Sequence, residues 1–311
     1  MPAFSDYAPD MAIVASAAES GTCGENLTWT LDDEGTLTIS GTGDMENYSS
    51  HSSPFYYRGA IKAVIIEDGV TSIGDYAFEY CSNLASITIP DSVTCIGNYA
   101  FYYCYNLESI NIPDSVTSIG NYAFWNCSSL TSLTIPDSVT SIGNDAFSGC
   151  SSLTSINIPD SVTRIGDYAF CGCYNLESIT IQNPDSQIYE ARTTICSGYN
   201  DLIGLYDFNG TIYGYENSTA QAYAEKYEYN FESLGEAPFS DILGDVGGNE
   251  IVDGRDASMV LTHYALISAN KPGVITGTQA LLNADWDQNE VVDGRDASAI
   301  LTYYAEQSVQ K

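Results

Sequence analysis

At 311 residues the chain is long enough for two domains, and its 44% hydrophobic content is that of a folded protein. Its charge is extreme, with 41 acidic against 9 basic residues and a net charge of −32. That field repels nucleic acid and anionic membranes, and no stretch approaches the roughly 18 apolar residues of a membrane helix, so nucleic-acid binding and membrane insertion are both excluded.

Residues 1–20 read as an unstructured leader. They lack a basic n-region, and their longest apolar run, Met11 to Ala15, is too short for a signal peptide, so the terminus alone leaves the compartment open. The next signal is a repeat. From Leu84 the 23 residues LASITIPDSVTCIGNYAFYYCYN recur from Leu107 as LESINIPDSVTSIGNYAFWNCSS, and Leu130 and Leu153 open two further copies. Ile61 opens a degenerate first copy, and the copy from Leu176 breaks down after Ile181.

Apolar residues fall in columns: Leu84/Leu107/Leu130/Leu153/Leu176, Ile87/Ile110/Leu133/Ile156/Ile179, Val93/Val116/Val139/Val162 and Ile96/Ile119/Ile142/Ile165. The columns Phe78/Phe101/Phe124/Phe147/Phe170 and Cys81/Cys104/Cys127/Cys150/Cys173 complete the set. The segment L-x-x-I-x-I alternates with period two and reads as a short strand. The proline after it ends ladder pairing, Gly74, Gly97, Gly120, Gly143 and Gly166 are expected to supply a turn, and A-F-x-x-C closes the coil. One such unit cannot bury its apolar face, whereas a stack of them forms a continuous core, a right-handed solenoid.

These residues resemble the BspA-like leucine-rich repeats of bacterial surface proteins over roughly Gly21 to Leu234. The resemblance implies an α/β leucine-rich-repeat solenoid, with a β-rich N-terminal cap over 21–60, repeats over 61–182, and a degenerate repeat with a C-terminal cap over 183–235. GTCGENLTWTLDDEGTLTISGTGDM is similar to the lead-in of such arrays, and TIYGYENSTAQAYAEKYEYNFESL, from Thr211, to their terminal cap.

Nine cysteines cannot all pair internally, and with no CxxC and only two histidines a zinc site is not expected. The cysteine column reads as a row of small buried groups. Cys23, Cys95, Cys171 and Cys196 lie outside it, and one pair among them is a candidate disulfide, with nothing in the sequence to choose it. The outward strand positions, Ser86/Ser109/Ser132/Ser155/Ser178 and Thr88/Asn111/Thr134/Asn157/Thr180, are small and polar and read as a solvated face. The ligand-binding candidates are Tyr76, Tyr99, Tyr122, Trp125 and Tyr168, with Tyr80, Tyr102 and Tyr103 nearby, whose rings suit proteins or sugars. The plainer reading, that these rings stack on one another and cover the solenoid, stands beside that one.

A linker over 236–244 precedes a second duplication. DVGGNEIVDGRDASMVLTHYA from Asp245 recurs 40 residues on as DWDQNEVVDGRDASAILTYYA from Asp285. Asp285, Asp287, Asn289, the Val291 carbonyl, Asp293 and Asp296 fall at positions 1, 3, 5, 7, 9 and 12 of a calcium loop, a spacing that wraps oxygens around a hard cation. The first loop offers Asp245, Asn249, the Ile251 carbonyl, Asp253 and Asp256, but Gly247 stands at its third position, so the second loop is expected to hold Ca2+ more tightly.

One exiting helix per loop resembles the dockerin family, here a small all-α module over 245–308 with two F-hand calcium loops. The resemblance implies a cohesin module of a scaffold protein as partner, contacted by Gly254, Arg255, Leu261 and Thr262 and by Gly294, Arg295, Leu301 and Thr302. No GxSxG, HExxH, P-loop or GxGxxG lies in a fitting context, and no catalytic residues are assigned. The expected function is a secreted, non-catalytic protein that docks by calcium-loaded loops onto a cellulosomal scaffold and presents its repeats to an unknown protein or glycan. A carbohydrate-binding or enzymatic component of a polysaccharide-degrading complex is the alternative.

Overall fold

The structure, a computed structural model, describes residues 19–200 and 205–235 together with Ala237. Each coil contributes two short strands and a looped turn, and each of these three parts stacks on its counterpart in the next coil. The first ladder uses the L-x-x-I-x-I segments. Ala63–Ile66 pairs in parallel with Ser86–Thr88, Ser109–Asn111 with Ser132–Thr134, and Ser155–Ile158 with Ser178–Ile181. Backbone bonds from Glu108 N to the Ala85 carbonyl (3.3 Å) and Thr131 N to the Glu108 carbonyl (3.1 Å) carry the ladder onward.

The second ladder was not read from the sequence as a strand. Gly43–Asp44, Val70–Ile73, Cys95–Ile96, Ser118–Ile119, Ser141–Ile142, Arg164–Ile165 and Gln187–Ile188 form one parallel seven-stranded sheet. A P-D-S-V turn separates the two strands of a coil, with Val116 N donating to the Pro113 carbonyl at 3.0 Å and Val139 N to the Pro136 carbonyl at 3.0 Å.

The A-F-x-x-C turn forms the third ladder. Phe78 N donates to the Ala100 carbonyl, Phe101 N to that of Ala123 and Phe124 N to that of Ala146, each at 2.8 Å. The residue before the alanine and the residue before the cysteine both sit in the left-handed region: Tyr76 at 55° and Tyr80 at 58°, Tyr99 at 56° and Tyr103 at 61°. Left-handed residues at this spacing rule out a helix in the coil. The α/β class expected for the solenoid is therefore corrected. Among the described residues the one helix is Thr219–Tyr227, in the terminal cap.

The core is a set of identical stacks. The rings of Phe55, Phe78, Phe101, Phe124, Phe147 and Phe170 follow one another at 5.2–5.5 Å, all fully buried. The column cysteines are buried as expected, and each also makes a polar contact. Cys81 donates its thiol to the Phe55 carbonyl and Cys104 to that of Phe78, both at 3.2 Å, and the pattern continues through Cys173. Burial pushes the Cys81 thiol up to about 12, so it stays a neutral donor.

The column glycines differ from expectation. A Cβ on Gly120 would lie 2.6 Å from the Gly97 carbonyl carbon, and one on Gly143 2.6 Å from that of Gly120. What the position requires is close approach of one coil to the next.

Both ends are closed by strands that extend the first ladder. At the N-terminal end Glu19–Gly24, Leu27–Leu31 and Thr36–Gly41 form an antiparallel meander, and the last of them pairs in parallel with Ala63–Ile66. Trp29 meets Phe55 edge-on at 5.5 Å, covering the end of the phenylalanine stack. At the other end Thr211–Gly214 and Asn230–Ser233 continue the ladder. The helix between them starts at Ser218, whose hydroxyl accepts from Gln221 N at 3.2 Å, and it buries Ala220, Tyr223 and Ala224.

Truncating a stacked ring leaves a cavity, so Phe124→Ala is expected to lower stability by about 3–5 kcal/mol. Gly120→Ala, which adds only a methyl group against backbone, is expected to cost about 1–3 kcal/mol. Urea denaturation monitored by circular dichroism checks both.

Candidate interaction surface

The left-handed turn residues place tyrosines on the outside at regular intervals. An L-residue held there costs about 1–2 kcal/mol, and contact with the neighbouring coil offsets it. Tyr76 stacks on Tyr99 at 4.4 Å with 4° between planes, and Tyr99 on Tyr122 at 4.6 Å with 6°. Tyr168, the fourth expected member of this column, stands apart, because Asp145 occupies the position between it and Tyr122.

A second aromatic row lies one turn away. Tyr80 stacks on Tyr103 at 4.5 Å, Tyr102 stacks on Trp125 at 4.8 Å, and Tyr103 meets Trp125 edge-on at 4.6 Å. Tyr99 contacts Tyr102 at 5.4 Å and so joins the two rows into one surface. The structure thus brings four of the five candidates, Tyr76, Tyr99, Tyr122 and Trp125, onto one face.

Sequence reasoning missed three members. Tyr56 and Tyr57 pack against Tyr80, and Tyr105 against Tyr103. Counting back one period from Glu79 and Tyr80 would have found the first two. Tyr57 is the most open of these rings, 70% exposed. Burial raises the hydroxyls of Tyr80, Tyr102 and Tyr105, and burial together with the Asp145 carboxylate pushes Tyr122 up to about 12. The surface therefore offers neutral hydroxyls on flat apolar rings.

A different face carries a groove of about 650 Å3 along the second ladder. The outward residues Ser72, Cys95, Ser118, Ser141 and Arg164 line it, with the glycine column as its floor. A side-chain ladder borders it: Asp75 Oδ1 accepts from Asn98 N at 2.6 Å, Asn98 Oδ1 from Asn121 N at 2.9 Å, and Asn121 Oδ1 from Asn144 N at 2.8 Å. Asp44, at one end, is held below the usual carboxylate range by hydrogen bonds from Thr71 and Ser72.

The expected calcium ligands (Asp245, Asn249, Ile251, Asp253, Asp256, Asp285, Asp287, Asn289, Val291, Asp293 and Asp296) lie outside the described residues. So do the expected partner contacts Gly254, Arg255, Leu261, Thr262, Gly294, Arg295, Leu301 and Thr302. Among the described residues no group of three or more metal-ligating side chains occurs, and no helix is long and apolar enough to cross a membrane.

Two measurements probe this surface. Tyr99→Ala and Tyr99→Gly both lose the stack, but alanine keeps the left-handed strain. Thermal unfolding is expected to show the glycine variant about 1 kcal/mol more stable, the reverse of the usual order. Burial holds Asp145 above the usual carboxylate range, only partly offset by hydrogen bonds from Tyr122 and Ser148. A raised carboxyl favours the fold while protonated and disfavours it as pH climbs through the raised value. Asp145→Asn is therefore expected to stabilise the fold at pH 7 and to lose that advantage near pH 3 in the same assay.

Residues 50–177 and 117–203 match the BspA type leucine rich repeat region, in 6 copies. No curated protein matches the chain. Among solved structures, the leucine rich repeat protein of T. pallidum is 24% identical, with 70% of this chain and 99% of that one covered and a TM-score of 0.44. A leucine-rich repeat protein from Bacteroides ovatus is 22% identical, covering 70% of this chain and 79% of that one at a TM-score of 0.31. A structure from Faecalibacterium prausnitzii described as a leucine rich cell surface protein is 20% identical, covering 71% and 96% at a TM-score of 0.32. With its stacked leucine, isoleucine and phenylalanine columns, the span 50–203 is a BspA type leucine-rich repeat region.

Proposed function

We propose that this protein is a non-catalytic extracellular interaction protein, with a solenoid that presents a binding surface and a C-terminal dockerin that anchors it to a cohesin of a cellulosomal scaffold. The observation that carries the interaction half is the continuous aromatic surface of Tyr56, Tyr57, Tyr80, Tyr99, Tyr102, Tyr103, Tyr105 and Trp125. Rings already fixed by neighbouring coils lose little freedom on contact, and tyrosine and tryptophan are the residues that anchor protein interfaces. The net charge of −32 selects against acidic partners.

The anchoring half rests on sequence. Two copies of a loop with oxygen-bearing residues at calcium spacing, beginning at Asp245 and Asp285, argue for two Ca2+ sites, the second tighter because Gly247 deprives the first of a ligand. Gly254, Arg255, Leu261 and Thr262, with their counterparts Gly294, Arg295, Leu301 and Thr302, would then meet the cohesin. Such docking would hold the protein outside the cell, through the scaffold.

A glycan is the second reading of the solenoid's ligand, and the stacked Tyr102–Trp125 pair favours it, since tyrosine and tryptophan combine apolar rings with a hydroxyl and an indole N–H able to bond sugar hydroxyls. Enzymatic turnover of polysaccharide is not part of either reading.

Capture of the full chain on immobilised cohesins, in calcium and in chelator, tests the anchor. Binding should require calcium, and Asp285→Ala should weaken it more than Asp245→Ala. Failure to bind any cohesin in calcium would sink the docking reading. Protein and glycan arrays probed with the same chain test the surface. Joint Tyr102→Ala and Trp125→Ala substitution should reduce whichever signal appears at least tenfold while leaving cohesin capture unchanged.

A further inference from the structure

We infer that Cys171 and Cys196 are the partners of a disulfide that fastens the last regular coil to the irregular turn after it. Phe170–Cys171 and Ile195–Cys196 are parallel strands whose register sets Cys171 directly against Cys196. Neighbouring strands lie about 4.8 Å apart, inside the roughly 4.4–6.8 Å that a disulfide spans between Cα atoms. Strand spacing alone would not single out this pair, because the column cysteines are also stacked coil on coil. Their thiols, however, are turned to phenylalanine carbonyls at 3.2–3.3 Å. Cys95 faces the Ser118 hydroxyl at 3.8 Å, and Cys23 is buried in the N-terminal cap. The sulfurs of Cys171 and Cys196 face each other at 2.8 Å, well inside van der Waals contact.

A change of register creates this meeting. A regular 23-residue step from Cys173 would land on position 196 and bury Cys196 in the cysteine column. The step is still 23 where Arg164–Ile165 pairs with Gln187–Ile188, but it has become 25 where Phe170 pairs with Ile195. The two extra residues lie between Ile188 and Ile195, and they move Cys196 out of the column to the side of Cys171.

The chemistry fits thiol–disulfide exchange with a low-molecular-weight disulfide, RSSR, of an oxidising exterior. Cys171, the more exposed of the two, gives up its proton to solvent and its sulfur attacks one sulfur of RSSR. That S–S bond breaks, and one RS− leaves and takes up a proton. The thiolate of the buried Cys196 then attacks the Cys171 sulfur of the mixed disulfide and expels the second RS−. Two protons and two electrons pass from the cysteine pair to the reagent, which leaves as two RSH. The Gly172 N–H, which is not consumed in the first step, lowers the Cys196 thiol and so favours the second.

Trypsin cleavage at Arg164, Arg192 and Lys226 separates the pair, because residues 165–192 carry Cys171 and Cys173 whereas 193–226 carry Cys196. The full chain is equilibrated with oxidised glutathione, its free thiols are alkylated in denaturant, and it is digested without reduction. Mass spectrometry should find the two peptides joined, lighter by two hydrogens than their sum. The link should vanish in Cys171→Ser and persist in Cys173→Ala. Full alkylation of all three cysteines, a glutathione adduct left at Cys171, or a link that survives Cys171→Ser would each overturn the assignment.

Discussion

Successive coils are held one backbone hydrogen bond apart, about 4.8 Å, and every column of side chains must be able to sit on a copy of itself at that spacing. Three ladders impose it together: the long strands, the short strands and the hydrogen-bonded turn. Planar phenylalanines stack at 5.2–5.5 Å. Asparagine amides reach from coil to coil, and each column thiol is small enough to meet a carbonyl of the coil before it. Where even a methyl group would collide with backbone, the column is glycine.

The same spacing makes the outer surface. A tyrosine in a left-handed turn is strained as an isolated residue, yet repeated once per coil it gains a partner on each side. Strain and stacking together hold the rings in fixed positions, which gives this surface its rigidity. Where the column carries Asp145 the stack stops, so the aromatic face lies toward the N-terminal half of the solenoid. The opposite happens near residue 190. There two extra residues break the period, and a cysteine that periodicity would place in the thiol column is turned toward a neighbouring cysteine instead.

Much of this was legible in sequence because burial in a stack leaves a periodic trace. Leu107, Ile110, Val116, Ile119, Phe124 and Cys127 recur at fixed offsets, and all are buried. The second ladder was harder to see. All but one of its strands are, like Ser118–Ile119, two residues long, and two residues carry no alternation to detect. The turn was misjudged for a related reason: an α/β class supposes a helix in the coil, and nothing in the letters Y-A-F-x-x-C announces left-handed tyrosines, which are rare outside such stacks.

The sequence by itself determined the repeat length, the buried columns, the duplication of the segment beginning at Asp245 in the one beginning at Asp285, and the strong acidity. These follow from composition and spacing along the chain, which need no coordinates. Only the tertiary structure decided which tyrosines share a surface, that the column glycines serve close approach, and which two cysteines meet. Those depend on register between coils, and a shift from 23 to 25 residues is invisible until the strands are paired.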